Sequence, residues 1–244
     1  MGDLRLTQAN LDLHLSQSAL NAYSLPYELR VDEQELIARF FPQAPATILD
    51  LGVGNGRTSV PLKRLGYDVV AIEYCGKLVE LANRSQREVT VIQGDARSLH
   101  LADSSIDAAF FSWNGIDYMC PLDERLQVLR EIHRVLRPGG IFLMSSRNAF
   151  GCIGRLLKPP LLTKRALVFW WDQVRFRRLN SWYCIWRDQS LGNPLFYSAP
   201  PCVQRRQLER QGFEVKAVLS VERPNCLASW WRDVHCNYVC SKSV

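Results

Sequence analysis

Residues 48 to 56 read Ile48-Leu49-Asp50-Leu51-Gly52-Val53-Gly54-Asn55-Gly56, an apolar run entering three glycines at alternate positions, and Glu73 closes a second apolar run downstream. Glycine has no Cβ, so such a turn bends sharply and lets the backbone approach a ligand. An acid about 20 residues further on is placed to accept hydrogen bonds from both hydroxyls of a ribose. The pattern predicts a nucleoside-cofactor site. Asp50 narrows the choice. A dinucleotide offers its pyrophosphate to backbone amides at a helix N-terminus, where a carboxylate would repel it. A nucleoside carrying an ammonium and a sulfonium in place of phosphate tolerates that carboxylate, which can orient the ammonium. The spacing G-x-G-x-G, in place of G-x-G-x-x-G, points the same way and against a nicotinamide-dependent oxidoreductase.

Regular elements must bring these groups together. Asp68-Val69-Val70-Ala71-Ile72-Glu73 reads as a second strand, Val89-Thr90-Val91-Ile92-Gln93-Gly94-Asp95-Ala96 as a third and Ile106 to Ser112 as a fourth. Leu122 to Leu136 has a helical pattern, and Arg137-Pro138-Gly139-Gly140-Ile141-Phe142-Leu143-Met144 reads as a turn and a fifth strand. Segments rich in Val, Ile and Phe alternating with amphipathic stretches predict a parallel sheet covered on both faces by helices. In such sheets ligands bind at the carboxyl ends of the strands. Asp50 to Gly56, Glu73, Asp95 and Ser112-Trp113-Asn114 all stand where a predicted strand ends, so they converge on one crevice.

In this order the motifs resemble the class I S-adenosylmethionine-dependent methyltransferases of the small-molecule type. The likeness runs over about residues 46 to 146 and resumes from Val203 to Ser220, with a helix, the Gly212-Phe213 turn and a sixth strand. It implies a Rossmann-like α/β fold, doubly wound around a mostly parallel seven-stranded sheet, with S-adenosyl-L-methionine as cofactor. It further implies that Asp50, Gly52, Gly54, Gly56, Glu73 and Tyr74 hold the cofactor, that Asp95 meets the adenine with Ala96 beside it, and that Ser112 and Asn114 reach the methionine end. Tyr23 and Tyr27 are expected to close over the sulfonium. The expected layout is one domain: a helical cover over residues 1–44, a cofactor-binding core over 45–147, an inserted substrate lid over 148–200 and the rest of the sheet over 201–244. In the cover, Leu4 to Leu20 has helical spacing, and a second helix is expected over Asp32 to Phe41, its start resembling an N-cap followed three positions on by Glu35.

Charge is concentrated in the expected lid. Residues 151–190 hold eight basic side chains against Asp172 and Asp188, which accounts for the whole formal net charge of +6, and they carry four of the seven tryptophans. Three partners suit a basic aromatic insert. Trp113, Trp170 and Trp171 would wall an organic acceptor while Arg175 neutralises its acid group. Alternatively, the segment binds nucleic acid through phosphates and stacked bases, or it lies on a membrane surface through Ala166-Leu167-Val168-Phe169-Trp170-Trp171.

Methyl transfer requires a nucleophile aligned with the S–CH₃ bond, exclusion of water and, where the nucleophile carries a proton, its removal. Candidates are Asp117 as a substrate-facing carboxylate, Tyr118 in the pocket and His235, which opens the apparent last strand, as general base. His133 is expected to face outward. The [DN]-P-P-[YFW] signature of enzymes acting on nucleobase or glutamine nitrogens does not occur. The expected acceptor is an oxygen or nitrogen of a small or medium organic molecule, such as a specialised metabolite or a peptide. An RNA methyltransferase and a non-catalytic S-adenosylmethionine-binding regulatory module are the alternatives. Eight cysteines without a C-x-x-C pair read as reduced thiols, no metal site is expected, and the absence of an apolar leader or membrane run predicts a cytoplasmic protein.

Overall fold

The computed structural model describes residues 26–120, 122–156, 164–175, 182–187, 195–222 and 233–243. The helix expected over Leu4 to Leu20, and Tyr23, lie outside these residues. The first described helix, α1 (Val31–Phe40), leads into β1 (Thr47–Leu51), α2 (Ser59–Arg64), β2 (Asp68–Glu73), α3 (Gly76–Ser85), β3 (Val91–Gln93) and β4 (Ile106–Phe111). A 3₁₀ turn over Gly115–Tyr118 joins β4 to α4 (Leu122–Val135) and β5 (Leu136–Arg147). The expected lid contributes α5 (Ala149–Leu156), α6 (Lys164–Arg175), β6 (Cys184–Arg187) and β7 (Leu195–Ser198), and the chain closes with α7 (Pro201–Arg210), β8 (Phe213–Ser220) and β9 (His235–Lys242).

Seven strands form one sheet in the order β3-β2-β1-β4-β5-β9-β8, and β6 pairs with β7 in a separate hairpin. The strands from β3 to β5 are parallel, and β9 runs antiparallel to both β5 and β8. Side-chain alternation sorts the core into two layers. Leu49, Ala109, Phe111, Phe142, Met144 and Tyr238 meet Val128, Leu129 and Ile132 of α4 on one face. Their neighbours Ile48, Ala108, Phe110, Leu143 and Val239 meet Leu36 and Ile37 of α1 and Leu62 of α2 on the other. Central strands buried on both sides explain the near-continuous apolar runs that made them legible.

Four local expectations are corrected. The Pro138-Gly139-Gly140 turn falls inside β5, because Leu136 already pairs with Ile106 and the register shifts before Ile141 meets Ala108. The third strand starts at Val91 and not at Val89, whose two backbone groups are taken by the Gln86 side chain; Asn83 bonds both backbone groups of Val91 on the strand's outer edge. Helix α1 starts one residue earlier than expected: the Glu33 carboxylate accepts from the Arg30 amide at 2.8 Å, while Asp32 accepts from Asn237 of β9 at 2.9 Å. His133 packs edge-on against Phe213, half-buried, where burial lowers its pKa.

Candidate active site

Parallel strands end on the same edge of the sheet, so the segments after β1, β2, β3 and β4 share one rim. After β1 the chain turns through Gly52, Gly54 and Gly56 with φ of 62°, 57° and 92°, a region that disfavours side chains. Glu73 braces the turn from the end of β2: its Oε2 accepts from the Gly54 amide and its Oε1 from the Cys75 amide, both at 2.9 Å. A carboxylate offers about four acceptor positions, so bracing the turn is compatible with receiving ribose hydroxyls.

Asp50 sits behind the turn, fully buried. Its Oδ2 accepts from Thr58 Oγ1 and Ser59 Oγ at 2.6 Å each, whereas Oδ1 is enclosed with no hydrogen-bond partner. Burial pushes its pKa up to about 6, against the two hydroxyls and Arg57, which favour the ion. Asn114 presents a second enclosed acceptor: its Oδ1 also lacks a partner, although its amide donates to Ser145 Oγ at 2.7 Å. Asp50 is paired with Phe110, and Asn114 follows that strand's end, so both acceptors stand on neighbouring strands at the same rim.

The turn after β4 is strained. Trp113 and Asn114 both adopt left-handed backbone with φ of 47° and 58°, an arrangement that concentrates at functional sites. Gly115 follows because the Phe111 ring lies where its Cβ would be, and the same ring would stand 2.9 Å from a Cβ on Gly52. Phe111 thus sets the spacing of the two turns. Gly115→Ala is expected to lower stability by about 1–3 kcal/mol in urea unfolding, because the added methyl overpacks this contact, and Phe111→Leu should recover part of the loss.

Sequence reasoning missed the cluster that holds this turn. Arg57, directly after the third glycine, donates to both Glu33 oxygens at 2.8 Å, to Ser112 Oγ at 2.9 Å and to the Glu28 carbonyl at 3.0 Å. Its guanidinium stands 5.1 Å from the centre of the half-exposed Trp113 ring. Burial alone would raise the Glu33 pKa, but Arg57, Ser112 and the Arg30 amide hold it below the ordinary value. This cluster ties the helical cover to the rim. An arginine beside the glycine turn was the available signal, but its partner lies 24 residues upstream in a different element.

The remaining expected residues divide. Asp95 remains on the rim, its carboxylate held by the Arg97 side chain and amide, and Tyr74 lies under the same guanidinium at 5.6 Å. Ala96 is buried in the core and Tyr27 is half-buried. Asp117 is an internal brace and not a substrate-facing acid. It is fully enclosed and accepts from Arg125, Ser146 Oγ and the Arg147 amide. Tyr118 packs against Phe196, the ring centres 4.5 Å apart and the planes tilted by 59°. His235 opens β9 opposite Arg147, the last residue of β5, and the antiparallel pairing brings it to the rim where the parallel strands end. Trp170, Trp171 and Arg175 belong to α6, whose inward residues Phe169, Asp172 and Gln173 engage the hairpin. Their own side chains are exposed.

The sheet order and the glycine rim define a Rossmann-like methyltransferase fold. Residues 49–144 match the methyltransferase domain family. Among curated proteins, the demethylmenaquinone methyltransferase of Renibacterium salmoninarum is 32% identical over 106 residues, which are 43% of this chain and 43% of the relative. The cypemycin N-terminal methyltransferase of a Streptomyces species is 31% identical over 129 residues, 51% of this chain and 52% of the relative. The matches therefore span about half of the relatives' length or less. A solved S-adenosylmethionine-dependent methyltransferase from Methanosarcina mazei superposes with a TM-score of 0.68 at 19% identity, covering 89% of this chain and 99% of that one, which speaks to the fold. The segment 49–144 and the seven-stranded sheet around it are thus those of a class I S-adenosylmethionine-dependent methyltransferase domain.

Proposed function

We propose that the protein transfers a methyl group from S-adenosylmethionine to an oxygen or nitrogen of a small or medium organic acceptor. One observation supports this most directly. Two enclosed acceptors without donors, Asp50 Oδ1 and Asn114 Oδ1, stand beside the turn braced by Glu73. Buried acceptors in folded proteins nearly always find a donor. An ammonium supplies several, whereas a pyrophosphate supplies none, so the residues fit the methionine end of this cofactor. Glu73 would take the ribose hydroxyls and Asp95 the adenine edge.

When bound, the cofactor supplies a methyl group already activated on sulfur. The chain's own work is positional: the strained turn at Trp113 and Asn114, seated on the Phe111 ring, would hold Asn114 at the rim beside the glycine turn. His235 is the base where the acceptor carries a proton, since the topology brings it to the rim. The acceptor classes to test first are those named in the two curated relatives, demethylmenaquinone and a peptide N-terminus.

Calorimetric titration with S-adenosylhomocysteine and, separately, NADH tests the cofactor. Only the first is expected to bind, and Glu73→Ala should weaken it by about 3 kcal/mol, roughly a hundredfold, through lost charge-assisted bonds to the ribose. Binding of NADH, or unchanged affinity in the variant, would overturn the reading. Methyl transfer from labelled donor to quinol, amine and RNA acceptors then separates the acceptor classes, and label on RNA alone would refute the organic acceptor.

A further inference from the structure

Helix α6 has two apolar faces. Ala166 and Phe169 turn inward with Asp172 and Gln173, and this face is closed by the hairpin: Gln173 bonds both backbone groups of Ile185, and Asp172 pairs with Arg187 at 2.7 Å. The other face carries Leu167, Trp170, Trp171 and Val174, exposed by 59, 49, 66 and 54%. Their spacing is i, i+3, i+4, i+7, one continuous stripe along the helix. Trp182, 81% exposed, comes from the segment leading into β6. These five make up most of the large exposed hydrophobic side chains among the described residues. Scattered apolar residues need no explanation, but a stripe of this kind does.

We propose that this face docks on the surface of an anionic lipid bilayer. The charge of the same segment selects the partner: residues 151–190 carry the chain's entire net charge of +6, and the rest of the chain is neutral. On α6 the cations stand at the two ends of the sequence, Lys164 and Arg165 at one and Arg175 at the other, leaving the stripe between them free of charge. Tryptophan rings favour the headgroup boundary, aliphatic side chains enter the acyl region beneath it, and flanking cations meet anionic headgroups. Nucleic acid would call for cations interleaved through the face, and neither Leu167 nor Val174 has anything to stack on a base. Twelve residues span about 18 Å as a helix, too short to cross a bilayer, so the helix lies along the surface. Among the described residues no helix is long and apolar enough to cross one.

Co-sedimentation with vesicles tests this on the full chain without cofactor. Vesicles of phosphatidylglycerol and phosphatidylcholine are expected to bind the protein, with binding weakened by salt and by omission of phosphatidylglycerol. Leu167→Glu with Val174→Glu should lower the partition coefficient at least about tenfold. Both positions are exposed, so the melting temperature and the affinity for S-adenosylhomocysteine should stay as in wild type, which separates this test from that of the cofactor site. Equal vesicle binding by variant and wild type would overturn the proposal. So would a concentration-dependent dimer in light scattering, or salt-sensitive RNA binding, that the same variant abolishes while vesicles bind neither protein.

Discussion

Arg125→Ala is expected to destabilise the protein by about 3–5 kcal/mol at neutral pH, the usual result of removing one partner from a buried ion pair. Arg125 is 1% exposed and Asp117 fully enclosed. The guanidinium donates to Asp117 Oδ1 and the Ile116 carbonyl at 3.0 Å and to Gln204 Oε1 at 2.7 Å, and it lies 4.4 Å from the centre of the Tyr197 ring. Burial pushes the Asp117 carboxyl up, and Arg125 leads the groups that oppose it. Without the arginine the carboxyl rises further. Its protonated form is then favoured in the fold, so the deficit against wild type grows as pH rises above the ordinary aspartate range and shrinks as pH falls into it. Urea unfolding compared at acid and at neutral pH checks both sign and size. A loss below about 1 kcal/mol at the higher pH would mean that the pair behaves as a solvated surface bridge. Because Asp117 ties the 3₁₀ turn to β5 through the Arg147 amide, cofactor affinity should fall with stability.

What the sequence disclosed follows from the range of the interactions involved. The strands were legible because burial on both faces leaves an unbroken apolar run, and the glycine turn because left-handed backbone leaves a compositional mark. Glu73 was legible because strand, crossover and strand fix its distance from the turn. Asp117 misled because its short stretch after β4 looks the same whether the carboxylate faces a crevice or Arg125 of the next helix and Ser146 of β5. Trp170 and Trp171 were assigned to a lid from composition and from the place of the insert in the family, neither of which orients a helix. Which face of α6 turns inward is decided by Gln173 and Asp172 meeting the hairpin, a tertiary contact with no local signature. Arg57 and Glu33 escaped notice for the same reason.

Asp50→Asn is expected to separate folding from ligand binding. In wild type the folded carboxyl titrates near pH 6, against an ordinary value of 3.8, because burial disfavours the ion. Below 3.8 the carboxyl is protonated in both states and no penalty is felt; between 3.8 and about 6 the unfolded chain ionises first, so folding becomes progressively less favourable. Above that window the penalty is complete, and a shift of about two units is worth about 3 kcal/mol. Asparagine keeps an oxygen for Thr58 and Ser59 but cannot ionise. Its NH₂ in place of the enclosed Oδ1 imposes a penalty of about 1–3 kcal/mol that does not vary with pH. The stability of the variant relative to wild type should therefore climb between pH 4 and pH 7 by about 3 kcal/mol, whatever its starting level. Denaturant unfolding across that range measures the climb. Affinity for S-adenosylhomocysteine should move the other way, falling at least about tenfold, since a donor would replace the acceptor that the proposed methionine subsite offers to the ammonium. A carboxylate held at a cost to the fold and required by the ligand is the pattern expected of a binding group. A flat pH profile would show that Asp50 is hydrated in solution, and unchanged affinity would remove it from the methionine subsite, leaving Asn114 as the acceptor there.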